Sequence, residues 1–381
     1  MIRFWLALIV FSTVGYGQSS AVSIRGDSLF VNSSTFTIKG VHYGPWRPGT
    51  GPNKGYPYPT AGAVESDLKL ISNLNANTIL VVDAPSYVLD LAAKYNLKVI
   101  YCMYLDWWTL GTGNATGPAD LTERVNLLRT KEALLAWDLG NEIPPALLQQ
   151  RGPHVIEAGL ADLYRRIKAL DPRHPITHSN WPVTKDLDLS FFDIASFNVY
   201  PLWPPEVVAQ GYGTYIRNIL KPLARGKPLL ITEFGANTLE AGEEGEARLL
   251  LQCWKDLRAA GACGGVAFEF ADEWWKNYDN PRRAGAWWDR QSASDDEKTH
   301  DQDPEEYYGI FTAERRPKAA AQVVAQMFAA GREAPRTSRT VPALLVSFLS
   351  LAAVGGWLAG KWRAGTKSRP PLPEVPVPRL R

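Results

Sequence analysis

Between Thr37 and Ala330, short apolar or β-branched runs alternate with longer stretches whose apolar residues recur every three or four positions. A strand buried on both faces reads as a continuous apolar run, whereas a covering helix is apolar along one stripe only. The alternation therefore predicts βα units around a parallel sheet. Strand candidates fall at 37–43, 76–82, 97–103, 133–139, 175–180, 192–198, 228–234 and 264–270. Helical periodicity fills the gaps, for example at 63–74, 154–170, 246–261 and 318–330. Eight such strands between 35 and 331 predict an α/β fold, a single (β/α)8 TIM barrel, since that fold occupies about 200 to 400 residues. The region 18–34 carries most of a hairpin-like stretch, "SIRGDSLFVNSSTFTI", placed to cover the bottom of the barrel. A doubly wound open sheet has less support, because no glycine-rich phosphate fingerprint follows any strand.

The two ends of the chain break the pattern. Residues 1–17 carry Arg3, an apolar run and a small-residue close, which predicts a signal peptide. Residues 341–360 are uncharged and long enough for a transmembrane helix, after a polar linker at 332–340. The tail 361–381 is proline-rich, with six Lys or Arg against one Glu, and basic flanks stay cytoplasmic. The expected topology is single-pass type I, with the barrel periplasmic or extracellular and the membrane engaged through the C-terminal helix. Without the basic ends the exported part is mildly acidic, and nucleic acid is not an expected partner.

Composition adds two points. The 14 Trp and 15 Tyr exceed ordinary use, and part of them must line clefts where N–H and O–H groups find partners. The three cysteines, Cys102, Cys253 and Cys263, make no disulfide framework, and no Cys/His spacing suggests a metal, so no cofactor is expected. The acidic run 292–306 lacks the spacing of a calcium loop and reads as a solvated loop.

The candidate chemistry lies at two strand ends. "LLAWDLGNEIP" closes on Asp138, Asn141 and Glu142, and "KPLLITEFGAN" on Glu233 and Gly235. In a TIM barrel the active site is built at the C-terminal ends of the strands, so the fourth and seventh strands bring Glu142 and Glu233 to one pocket.

These motifs resemble the catalytic barrel of glycoside hydrolase family 2. "WDLGNE" is similar to that family's W-S-L-G-N-E, with Asp138 where Ser is usual, and "KPLLITEFGA" to the stretch around its nucleophile. "SFNVYP", "GGVAFEFADEW" and "YYGIFTAERRPKAAA" resemble its sixth strand, eighth strand and closing segment. The paired motifs are shared by the wider clan A of retaining β-glycosidases, including family 5 and the β-1,3-glucan-acting families. Two positions depart from the clan pattern: Leu80 stands near its usual Arg and Phe268 where Trp is common.

The resemblance implies a retaining β-glycosidase acting on an oligo- or polysaccharide through a covalent glycosyl-enzyme. Glu142 would be the acid/base, its pKa raised by its neighbour, and Glu233 the nucleophile, kept ionised by hydrogen bonds. It also implies Asn141 as ligand of the sugar 2-hydroxyl and Tyr200 as hydrogen-bond donor to the nucleophile. His42, His178 and Trp181, at the ends of the first and fifth strands, are expected to shape the pocket. Trp274 and Trp275 are expected to form a sugar platform, with Trp46, Trp107, Trp108 and Trp203 following other strand ends, and 272–307 a lid. A transglycosylase would use the same residues, and a catalytically silent carbohydrate receptor would keep the cavity without turnover.

Overall fold

The structure is a computed structural model that describes residues 21–52, 55–110, 121–276 and 303–330. Three short strands come first, β1 (Val22–Arg25), β2 (Ser28–Val31) and β3 (Ser34–Thr35), paired antiparallel in that order. Eight parallel strands follow: β4 (Ile38–His42), β5 (Thr78–Val82), β6 (Lys98–Met103), β7 (Leu134–Asn141), β8 (Ile176–Asn180), β9 (Ala195–Asn198), β10 (Leu229–Phe234) and β11 (Gly264–Ala267). They pair in chain order, and β11 returns to β4 with Gly264 opposite Ile38, closing the barrel. Each lies within a predicted run except β7, which continues two residues past its predicted end, through Gly140 and Asn141.

The helices form where the periodicity places them. The helix Ala61–Asn73 is capped by Thr60, whose Oγ1 accepts from Ala63 N, and buries Val64, Leu68 and Ile71. The helix Thr238–Ala259 starts at the Asn237 cap and bends at Gly242, where φ is +69°. Its longer part, beyond the bend, carries the predicted apolar stripe.

Alternation along the strands sorts side chains into two cores. Ile79, Val81, Val99, Tyr101, Trp137 and Ile231 pack outward against helices. Leu80, Ile100, Ala136, Leu230 and Val266 fill the barrel interior together with Leu29 and Val31 of the small sheet. The N-terminal strands thus plug the barrel, which leaves the opposite mouth for chemistry.

At that mouth two strands break register. The pairing of β7 with β8 shifts between Asp138 and Asn141, and that of β10 with β9 between Ile231 and Glu233. An extra residue re-aims the side chains that follow. Gly140 (φ +77°) makes the first shift feasible, because a Cβ there would also lie 2.7 Å from the Trp107 ring. Glu142 itself sits at φ +43°, a conformation uncommon for a non-glycine residue.

Among the described residues no helix is long and apolar enough to cross a membrane. The predicted signal peptide, linker, transmembrane helix and tail lie outside the described residues, as do 277–302 of the predicted lid.

Candidate active site

A cavity of about 880 Å³ opens at the C-terminal mouth of the barrel, within the range of small-molecule sites. Glu142, Glu233, Asn141, Tyr200 and His42 all line it, as do Trp46, Trp107, Trp203 and Trp275. The side chain of Trp108, together with Trp287 and Trp288, lies outside the described residues.

Each carboxylate has its own donor. Tyr200 Oη donates to Glu233 Oε2 at 2.7 Å. Asn198 Nδ2 donates to Glu142 Oε1 and to Asn141 Oδ1, both at 2.9 Å. Asn141 is thereby oriented, and its own Nδ2 is the group left to donate. Strand alternation explains the convergence, since Ser196, Asn198 and Tyr200 share one phase and the latter two reach the cavity.

Glu233 is buried, and the loss of water together with the charge of Glu142 pushes its pKa well above the usual carboxylate range. The Tyr200 hydrogen bond and Lys276 pull the other way without cancelling this. The hydrogen bonding expected to favour the ionised form is present in the Tyr200 contact, and burial beside Glu142 opposes it. Two carboxyls that sense each other in a dry pocket share a proton, and its position is a property of the pair.

His42 Nδ1 is buried on the same wall and has no hydrogen-bond partner among the described residues. Burial, with Lys276 nearby, pushes its pKa to about 3, so the ring is neutral. His178 and Trp181 do not line the cavity. His178 Nδ1 lies 2.9 and 3.0 Å from the carbonyls of Leu139 and Gly140, bracing the register shift of β7 from outside. Trp181 Nε1 donates to the Ile143 carbonyl at 3.1 Å, and its ring stacks on Trp203, which does face the cavity. Trp275 is on the wall and Trp274 is not.

Lining residues that sequence reasoning missed include Asn198, Glu273, Lys276 and Glu305. Asn198 was legible, because it lies two residues before Tyr200 in the same strand phase. Glu273, Lys276 and Glu305 come from segments without periodicity. Lys276 Nζ donates to Glu269 Oε2 and lies 3.6 Å from Glu273 Oε2, while Glu273 also accepts from Trp46 N. Glu305 belongs to the acidic run read as a solvated loop, yet it faces the cavity, and its neighbour Glu306 is buried.

Asp138, where the resembling family has Ser, is fully buried below Glu142 and accepts from Ser179 N (2.9 Å) and Ser179 Oγ. Burial outweighs these bonds and raises its pKa to about 7. The native state then keeps a proton that the unfolded chain releases near pH 4, so this group's contribution to stability falls as pH rises from about 4 to 7. Asp138→Asn keeps the shape and both Ser179 contacts. It is expected to be more stable than the parent at pH 8 by up to about 4 kcal/mol, with the gap closing towards pH 4, as read from urea midpoints.

Comparison with known proteins accords with this geometry. Residues 22–330 match the family described as glycosyl hydrolases family 2, TIM barrel domain, and the chain belongs to that family. A search of curated protein sequences gives no match. Among solved structures, the barrel is similar to a family 2 β-galacturonidase from Eisenbergiella tayi bound to galacturonate, at 21% identity and TM-score 0.58. That similarity covers 81% of this chain and 54% of the other. It is also similar to a β-glucuronidase from Ruminococcus gnavus in complex with D-glucuronic acid, at 20% identity and TM-score 0.61, over 81% of this chain and 52% of the other. The chain thus spans about half the length of these neighbours.

Proposed function

We propose that this protein hydrolyses β-linked O-glycosides by double displacement, with retention of anomeric configuration. The observation that carries the reading is the convergence of Glu142 and Glu233 on one cavity, with Tyr200 on Glu233 and Asn198 on Glu142. Glu233 attacks the anomeric carbon while Glu142 gives its proton to the departing oxygen. The product of this step is a glycosyl ester of Glu233. Glu142, now a carboxylate, takes a proton from water, and the resulting hydroxide equivalent displaces Glu233. Tyr200 orients the nucleophile, Asn141 Nδ2 meets the sugar 2-hydroxyl, and neutral His42 offers its unsatisfied Nδ1 to another hydroxyl.

A panel of aryl β-glycosides and β-glucans, followed by chromatography, tests the activity, and silence across the panel would defeat it. Trp275→Ala is expected to weaken substrate binding by about 1 to 3 kcal/mol, read as a raised KM without a lowered Tm. The same change at Trp274, off the cavity wall, should move Tm and spare KM.

We infer that the barrel lies outside the cytoplasm, tethered by 341–360, a reading supported by the apolar and basic pattern of the two ends. Protease added to intact spheroplasts should digest the barrel and spare a C-terminal tag. A protected barrel would contradict this topology.

A further inference from the structure

The charge of the cavity wall bears on which sugar it accepts, an inference that rests on the glycosidase reading above. Six carboxyl side chains face the cavity, Asp83, Asp106, Glu142, Glu233, Glu273 and Glu305. Asp83 is paired with Arg124, and among the described residues the one cationic side chain on the cavity wall itself is Lys276, since His42 is neutral.

Lys276 is not available to a sugar carboxylate. Its Nζ is held by Glu269 and Glu273, both buried, and lies 4.4 Å from the centroid of the Phe268 ring. Against the pull of burial, these glutamates hold its pKa above the usual lysine range. Drawing Lys276 towards a third anion would strip the fully enclosed Glu269 of its counter-charge, which is strongly unfavourable.

Glu305 is the opposite case. It stands on the short turn Pro304–Tyr307, faces the cavity, and among the described residues its carboxyl oxygens accept no hydrogen bond. Loss of water raises its pKa to about 8 against the attraction of Lys276, with the charges of Glu269 and Glu142 adding to the rise. A cation arriving beside it would favour its ionised form. His42 Nδ1 is a second buried group on this wall with no partner among the described residues, and a hydroxyl-bearing ring would satisfy it.

We propose that the cavity selects glycosides that carry an ammonium group, pairing it with Glu305, and turns away uronic acids. Among the described residues, a uronate carboxylate would enter among carboxyl groups and find no uncommitted cation. The barrel is thus shared with neighbours solved with galacturonate and glucuronic acid, while the charge it recognises is reversed. Discrimination of this kind comes as much from repulsion of the wrong ligand as from attraction of the right one.

The test is calorimetric binding to the full-length protein at pH 7 of three phenyl 1-thio-β-glycosides, those of glucosamine, glucose and glucuronic acid, which resist hydrolysis. The amine is expected to bind at least tenfold more tightly than the neutral sugar, and the uronate at least tenfold more weakly. In Glu305→Gln the amine's advantage should shrink to within about threefold of the neutral sugar. Raised salt should narrow the wild-type spread. The proposal is overturned if the uronate matches the neutral sugar, if the amine has no advantage, if its advantage survives in Glu305→Gln, or if none of the three binds. The wild-type ranking decides even where the variant fails to fold. The corresponding aryl O-glycosides separate the two readings, because ranked binding without turnover would defeat hydrolysis and leave this selectivity standing.

Discussion

Glu233→Gln is expected to abolish turnover of every glycoside, by roughly 10⁴-fold or more, because an amide cannot form the glycosyl ester. The substitution should not cost stability. Glu233 is buried with its pKa driven upward by burial and by Glu142, so its charged form is a load on the native state. A neutral amide removes that load and still accepts from Tyr200 Oη. An unchanged or raised Tm beside lost activity is therefore the signature of a chemical role. A variant that retains more than about a hundredth of the activity would point to another nucleophile.

Glu142→Ala should fail differently. Glycosides with good leaving groups need little protonation, so their first step should survive, whereas natural sugars should lose activity by about 10²- to 10⁴-fold. Without the base, the glycosyl ester should accumulate after a burst, and azide should attack it in place of water. The adduct should be the β-azide, since two inversions restore the starting configuration. Equal losses on activated and natural substrates, with no rescue by azide, would remove Glu142 from the acid/base role.

The barrel was legible because its strands are buried on both faces. β6 from Val99 to Met103 and β10 from Leu229 to Ile231 read as apolar runs with no charged residue. Glu142 and Glu233 stood out as carboxyls at the ends of such runs. The same burial hid which way other side chains point. In β8 every residue is buried, so His178 and Trp181 at its end carry no sign of their orientation. The fold turns His178 to the backbone of β7 and Trp181 to the Ile143 carbonyl, behind the cavity wall.

The register shifts were equally invisible, although they re-aim both glutamates. Gly140 and Gly235 were readable as turn residues. That a Cβ on Gly235 would lie 2.4 Å from the Phe268 carbonyl is a contact made only on closure of the barrel. Lys276 and Glu305 lie far apart along the chain in loops without period, and neither residue type alone announces a cavity wall. The position of Lys276 is set by the buried Glu269 and Glu273, whose charges hold its ammonium group. Asp138 was visible as an oddity of the motif, but its burial and raised pKa belong to the packed barrel.

The central claim, that Glu142 and Glu233 act as a retaining pair, meets its most direct test in trapping the intermediate. A 2-fluoro β-glycoside with an activated leaving group, matched to whichever substrate the panel shows to be cleaved, slows the second step more than the first. Peptide mass spectrometry of the inactivated protein should place one fluorosugar on Glu233 in "LLITEFGAN", with labelling prevented in Glu233→Gln. Labelling of another carboxylate, or turnover of that substrate with inversion of the anomeric centre and no trapped ester, would contradict the account.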